Sequence, residues 1–251
     1  MSMKISVKSA RYNFPLQRSR KCVSREEHII KILGRSHVIS SKVFVKISTP
    51  CKSIYLGTDH HASVFFSLME RDRGNLRGNE EWLHIDRKEH PDNNFFGGGI
   101  NISPASRSET VCKYLEWEIW PKVFRYGITV ANFMTAIARL YPNMTFKFLH
   151  DDLKKGKKAV DWRGMRYSEI SQLTSWVDKA GRTNSRVISL DLDIFGYNSF
   201  GLEKSEWGLM KEKIVKMAET SKIIMMFTSP GFINVEMATK RMEEMVQELI
   251  K

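Results

Sequence analysis

Short apolar runs alternate along this chain with stretches of helical periodicity, and that alternation restricts the fold more than any other feature. Val43-Phe-Val-Lys-Ile47, Ser53-Ile-Tyr-Leu56, Trp82-Leu-His-Ile85, Met144–Leu149, Val187-Ile-Ser-Leu190 and Lys222–Phe227 have the length and the β-branched or aromatic content of strands. Between them Val64, Phe65, Leu68 and Met69 recur at three-to-four spacing ahead of Gly74. Leu209, Met210, Ile214 and Met217 do the same over Lys204–Glu219. The repeat Val235, Ala238, Met242, Met245, Val246, Leu249 follows Asn234, a residue suited to an N-cap. Further helices are expected within 110–126, within 130–140 and around 167–179. A capping box, Ser24-Arg-Glu-Glu27, leads into Ile29, Ile30, Ile32 and Leu33, which predicts a short helix ending at Gly34. Strands alternating with helices bury a sheet on both faces, so the expected fold is α/β, a three-layer sandwich with a mostly parallel sheet.

Composition narrows the class. A chain of 251 residues suits a single domain over 1–251, in which 1–50 has no assigned role and the lysine-rich 151–166 is expected as a surface loop. No apolar run approaches the roughly 18 residues of a membrane span, and lysines interrupt the N-terminus where a signal peptide would be apolar. Cytoplasmic residence is the expectation. The three cysteines, Cys22, Cys51 and Cys112, are widely spaced with no CxxC pair, which argues against a disulfide framework and a thiolate zinc site. Net charge is +12. Such an excess would attract nucleic acid, anionic lipid or an acidic peptide, though more often it is a solubility trait; without a helix-turn-helix, RNP-like or zinc-finger pattern, nucleic acid is the weakest of these readings.

In a parallel sheet, ligands bind at the carboxyl ends of the strands. The polar clusters fall there: Asp59-His60-His61, His84-Ile-Asp86 with His90-Pro-Asp92, and Asp191-Leu-Asp193. Residues i and i+2 of a strand share a face, so Asp191 and Asp193 are expected to point the same way, about 6–7 Å apart. Like charges so placed repel unless a cation sits between them. One carboxylate capping a helix while the other is solvated would also satisfy a bare DxD; the companion clusters favour a metal. Imidazole and carboxylate without thiolate suit Mn²⁺, Fe²⁺ or Zn²⁺. Two such ions about 3.5–4 Å apart can activate a water for hydrolysis.

The order of these pieces resembles a known set. An acid-His pair opening a helix, H-x-D followed by H-P-D, S-x-D-x-D-x-F and finally Thr228-Ser-Pro-Gly-Phe232 together resemble the arginase-fold hydrolases (arginase/deacetylase-like) over about 53–234. Asp59-His-His61 with its aromatic helix and Ile119-Trp-Pro121 extend the match to the branch that includes the peptide arginases. That resemblance implies conversion of arginine side chains in a peptide to ornithine and urea. It implies a manganese pair held by His60, Asp86, His90, Asp92, Asp191 and Asp193, with Ser229 and Gly231 near the substrate. The expected partners are a peptide or other guanidine or amide substrate, and an acidic leader peptide. The general base stays open between His61, His150 and Glu118.

The chain departs from the family pattern H-x-D-x-H-x-D, because Arg87-Lys88-Glu89 places three residues where the pattern has one. Aligned without a gap, Lys88 replaces a metal-binding His and His90 replaces the second Asp. With a two-residue bulge, His90 and Asp92 still reach the site. The place where free-arginine enzymes carry a guanidinium-binding carboxylate reads Phe227-Thr-Ser-Pro230, and no His lies between His90 and His150. Free arginine is therefore not the expected substrate. The alternative function is an arginase-fold pseudoenzyme, a binding or scaffold protein left after loss of a metal ligand.

Overall fold

The computed structural model describes residues 4–12, 27–86, 101–115, 127–129, 132–149, 167–168, 187–195, 204–231 and 233–251. The strands are β1 Ser6–Arg11, β2 His28–Ile32, β3 Arg35–Ile39, β4 Val43–Ser48, β5 Ser53–Gly57, β6 Glu81–Ile85, β7 Thr145–Leu149, β8 Tyr167–Ser168, β9 Val187–Asp191 and β10 Ile223–Phe227. The helices are α1 Ala62–Asp72, α2 Ser108–Cys112, α3 Phe133–Leu140, α4 Lys204–Ala218 and α5 Val235–Leu249. The main sheet runs β1-β4-β5-β10-β9-β6-β7-β8. All its pairings are parallel except those of β4 with β1 and with β5.

Period-two side-chain alternation divides the core between the two faces. Val45, Ile47, Ile54, Leu56, Leu83, Ile85, Ile188, Leu190, Ile224 and Met226 pack with Ile214, Met217, Met242, Met245 and Val246 of α4 and α5. Phe44, Tyr55, Trp82, Val187, Ile223, Met225 and Phe227 pack with residues of α1, α2 and α3. Helices thus cover both faces, which is why β9 and β10 are buried at every position. Asn234 caps α5 as its residue type predicts, Oδ1 accepting from the Met237 N–H at 3.0 Å. Among the described residues no helix is long and apolar enough to cross a membrane.

Residues 28–39 correct one expectation. Instead of a helix they form a hairpin, β2 pairing antiparallel with β3 from His28↔Ile39 to Ile32↔Arg35. Leu33 and Gly34 both have positive φ, 48° and 76°, the conformation of a type I′ turn. His28, Ile30 and Ile32 are buried while Ile29 and Lys31 are exposed, a strand's period rather than a helix's. The unassigned N-terminal fifty residues therefore supply the sheet edge, through β1 and β4, and this hairpin. A second correction falls at Tyr167–Ser168, read as the start of a helix. These residues are a two-residue strand beside Phe146 and Lys147, because the edge of β7 offers its backbone a partner. Within 110–126 the described helix stops at Cys112, and Leu115 bridges to Ile128. The proposed loop 151–166 lies outside the described residues.

One buried ionic group holds α1 against the sheet. The Glu70 carboxylate accepts from Lys46 Nζ at 2.8 Å, Asn75 Nδ2 at 2.7 Å, Arg73 Nη1 at 3.2 Å and the Tyr55 hydroxyl. Burial raises its pKa, but the hydrogen bonds from Lys46, Tyr55 and Asn75 and the Lys46 charge outweigh that and hold it below its ordinary value.

Candidate metal centre

Register determines which strand ends meet. Phe227 pairs with Gly57 on one side and with Asp191 on the other, and Ile85 pairs with Leu190. Strands β5, β10, β9 and β6 therefore finish side by side, with Asp86 one step past Ile85 and next to Asp191. Strand β5 is separated from β9 by β10, about 10 Å at ordinary strand spacing. His60, three residues beyond β5, closes that gap.

The ligand atoms of His60, Asp86 and Asp191 all lie within 4.8 Å of one another. All three residues are buried, Asp191 completely. His60 Nδ1 is hydrogen-bonded to Asp191 Oδ2 and lies 3.9 Å from Asp86 Oδ2. Two carboxylates taken out of water beside one imidazole are an unfavourable grouping unless positive charge joins them. Nitrogen and carboxylate oxygen at this density are the donor set of a borderline or hard divalent ion, so these residues fit one.

The surrounding groups hold these ligands in place. The Ser229 hydroxyl donates to Asp191 Oδ2. Ser229 has a positive φ of 43°, which a non-glycine residue keeps only where its surroundings enforce it. Its own N–H bonds to Thr58 O at 2.7 Å, and the Thr228 N–H bonds to Gly57 O at 3.2 Å, so the turn after β10 is tied to the end of β5. On the other side, Trp82 Nε1 donates to Ser189 Oγ at 2.7 Å and Ser189 Oγ lies 2.8 Å from His84 Nδ1. His84 Nε2 lies 3.2 Å from Asp86 Oδ2. With Asp86 ionised, His84 Nε2 carries a proton towards it, while Nδ1 faces the Ser189 hydroxyl. Trp82, Ser189, His84 and Asp86 thus form one buried hydrogen-bonded chain. The Phe133 ring stands 4.8 Å from the His60 ring and 5.2 Å from that of His84, an apolar wall on the helical side.

The DxD pair differs from its strand reading. Strand β9 ends at Asp191, and Leu192–Phe195 is a 3-10 turn. Asp191 Oδ1 accepts from the Asp193 N–H at 3.1 Å, so the first aspartate's side chain turns the backbone before the second can continue the pleat. The two carboxylates do not share a strand face, and Asp193, though buried, lies outside the converging group.

His61 is the N-cap of α1 and is buried. Burial, with the neighbouring His60, lowers its pKa to about 3, so it is neutral at pH 7. Asp59 is pushed up to about 6 by burial, although a hydrogen bond from Thr58 Oγ1 at 3.0 Å opposes this. Gly231 has a φ of 89° and ends the Thr228-Ser-Pro turn. His90, Asp92, Glu118 and His150, with Arg87-Lys88-Glu89, lie outside the described residues. Sequence reasoning missed Ser189, Phe133 and the supporting role of His84. His84 carried a local signal, standing two residues before Asp86 in the His84-Ile-Asp86 cluster, and it faces Phe133 of α3. Ser189 stood in the S-x-D-x-D-x-F motif, but nothing local indicated its bonds to Trp82 and His84, and Phe133 carried no signal, since these partners are distant in the chain.

No protein-family model matches this chain, and no curated protein matches it.

Proposed function

We propose that the protein is a metal-dependent hydrolase of C–N bonds with an arginase-like fold, acting on arginine side chains of a peptide to release urea and leave ornithine. The observation that carries this reading is the convergence of His60, Asp86 and Asp191, buried, at the carboxyl ends of parallel strands. His60, Asp86 and Asp191 would hold one divalent ion, with manganese expected. His90, Asp92 and Asp193 are the residues available to a second. When bound, such an ion supplies Lewis acidity and an activated water. The chain's own groups do the rest: Ser229 and His84 orient Asp191 and Asp86, and Phe133 keeps water away from the imidazoles. The net charge of +12 suits a substrate presented on an acidic leader peptide, in a cytoplasmic setting.

The test is to measure bound Mn²⁺ by elemental analysis and then urea release from arginine-containing peptides. Metal binding with urea release supports the reading, and release unaffected by EDTA overturns it. Metal binding without turnover on any guanidine or amide substrate favours the second reading, a binding protein. The ungapped alignment that puts Lys88 at a ligand position speaks for that alternative.

A further inference from the structure

The β2–β3 hairpin lies outside the stretch that resembles a known family, yet it reaches the candidate metal centre. His28 Nδ1 and Thr228 Oγ1 are hydrogen-bonded at 2.8 Å across 200 residues of sequence, and both residues are buried. Thr228 precedes Ser229, whose hydroxyl bonds Asp191 and whose backbone is held at positive φ. The hairpin is itself fixed, with Ile30, Ile32 and Ile39 in the core against α5 and the Lys31 N–H bonded to Glu243 Oε1. Side chains of Thr228 and Ser229 therefore diverge from one strained turn, one towards the hairpin and one towards the metal ligand.

We infer that His28 is a positioning residue of the metal centre: by holding Thr228 it keeps Ser229 in its left-handed conformation and Asp191 aimed at the ion. The inference rests on the metal-centre reading of His60, Asp86 and Asp191. A turn strained at a ligand-supporting serine relaxes unless neighbouring bonds over-determine it. His28 supplies the bond that the two backbone links to β5 do not, because it acts on the side chain at the base of the strained residue. It follows that a segment distant in sequence sets the affinity of the site.

Titration of purified protein with Mn²⁺, following the free ion by EPR, tests this without reference to turnover. His28→Leu fills the same space without the hydrogen bond and is expected to weaken Mn²⁺ binding about tenfold, the loss typical of outer-shell partners. His28→Asn, whose side-chain amide can reach the Nδ1 position, is expected to restore most of it. Thr228→Val should reproduce the loss, and the double variant should bind no worse than either single one. Undiminished binding in both His28→Leu and Thr228→Val overturns the inference, as does a loss that His28→Asn fails to repair. A wild-type chain that binds no Mn²⁺ overturns the metal reading alone. Amide exchange at Ser229 then decides the bracing: faster exchange in His28→Leu upholds it, and unchanged exchange refutes it.

Discussion

The indole N–H of Trp82 donates to Ser189 Oγ at 2.7 Å, and the same oxygen lies 2.8 Å from His84 Nδ1. Ser189 thereby holds the orientation of the imidazole whose Nε2 lies 3.2 Å from Asp86 Oδ2. Ser189→Ala should weaken Mn²⁺ binding by about 10–100-fold through the loosened His84. It should also destabilise the fold by about 1–3 kcal/mol, since the buried indole N–H loses its acceptor. Trp82→Phe removes the donor but leaves Ser189 free to bond His84, so its effect on metal affinity should be smaller. Isothermal titration and urea denaturation of the two variants check both parts.

Metal binding should appear as stability. An ion that binds only the folded state at 100 times its dissociation constant adds about 2.7 kcal/mol. At about 2–4 °C per kcal/mol for a chain of this size, Mn²⁺ should raise the Tm by about 5–10 °C. Asp191→Asn should abolish that increase, as should His60→Ala. Differential scanning calorimetry with Mn²⁺ and with EDTA makes the comparison.

Acid should loosen α1 by way of Glu70. Its carboxyl is held below its ordinary value in the fold, so its contribution is complete above the unfolded glutamate pKa of about 4.3 and is lost as pH falls through the lower folded value. Stability should drop on acidification below about pH 4. Glu70→Gln should lower stability at pH 7, by about 3 kcal/mol, because Lys46 keeps a partly buried charge without its partner. The same variant should show a shallower acid slope between pH 3 and 5, and denaturant melts across that range measure both.

The hairpin turn invites stabilisation. Leu33 is exposed and stands at a φ of 48°, where an L-residue other than Asn, Asp or Gly is unfavourable. Leu33→Asn creates an Asn-Gly pair suited to a type I′ turn. It should add about 1 kcal/mol and raise the Tm by about 2–4 °C, with metal affinity unchanged.

Much of the architecture was legible because β5, β6, β7, β9 and β10 are local apolar runs and α1, α4 and α5 carry helical periodicity. The site was legible in part. His60, Asp86 and Asp191 each stand just past or at a strand end, where a polar residue is conspicuous. The shared strand face expected for Asp191 and Asp193 does not form because the i, i+2 rule applies only while the strand lasts, and Asp191 itself ends it by accepting from the Asp193 N–H. The segment 28–39 misled for a different reason. A capping box followed by isoleucines is compatible with either period, and packing against α5 decided it. The partners of Ser189, the place of Phe133 and the pairing of His28 with Thr228 had no local signature, being contacts between segments up to 200 residues apart.

Strand β10 is the last in chain order of the ten strands among the described residues, yet it lies between β5 and β9. During synthesis, β5 and β9 exist well before the segment that joins them. Until Ile223–Phe227 leaves the ribosome, each therefore presents an unpaired, apolar edge, the kind of surface that recruits chaperones or seeds aggregation. His60 and Asp191 are brought into register only by that last insertion. A nascent chain stalled before residue 223 would hold both ligands and no site.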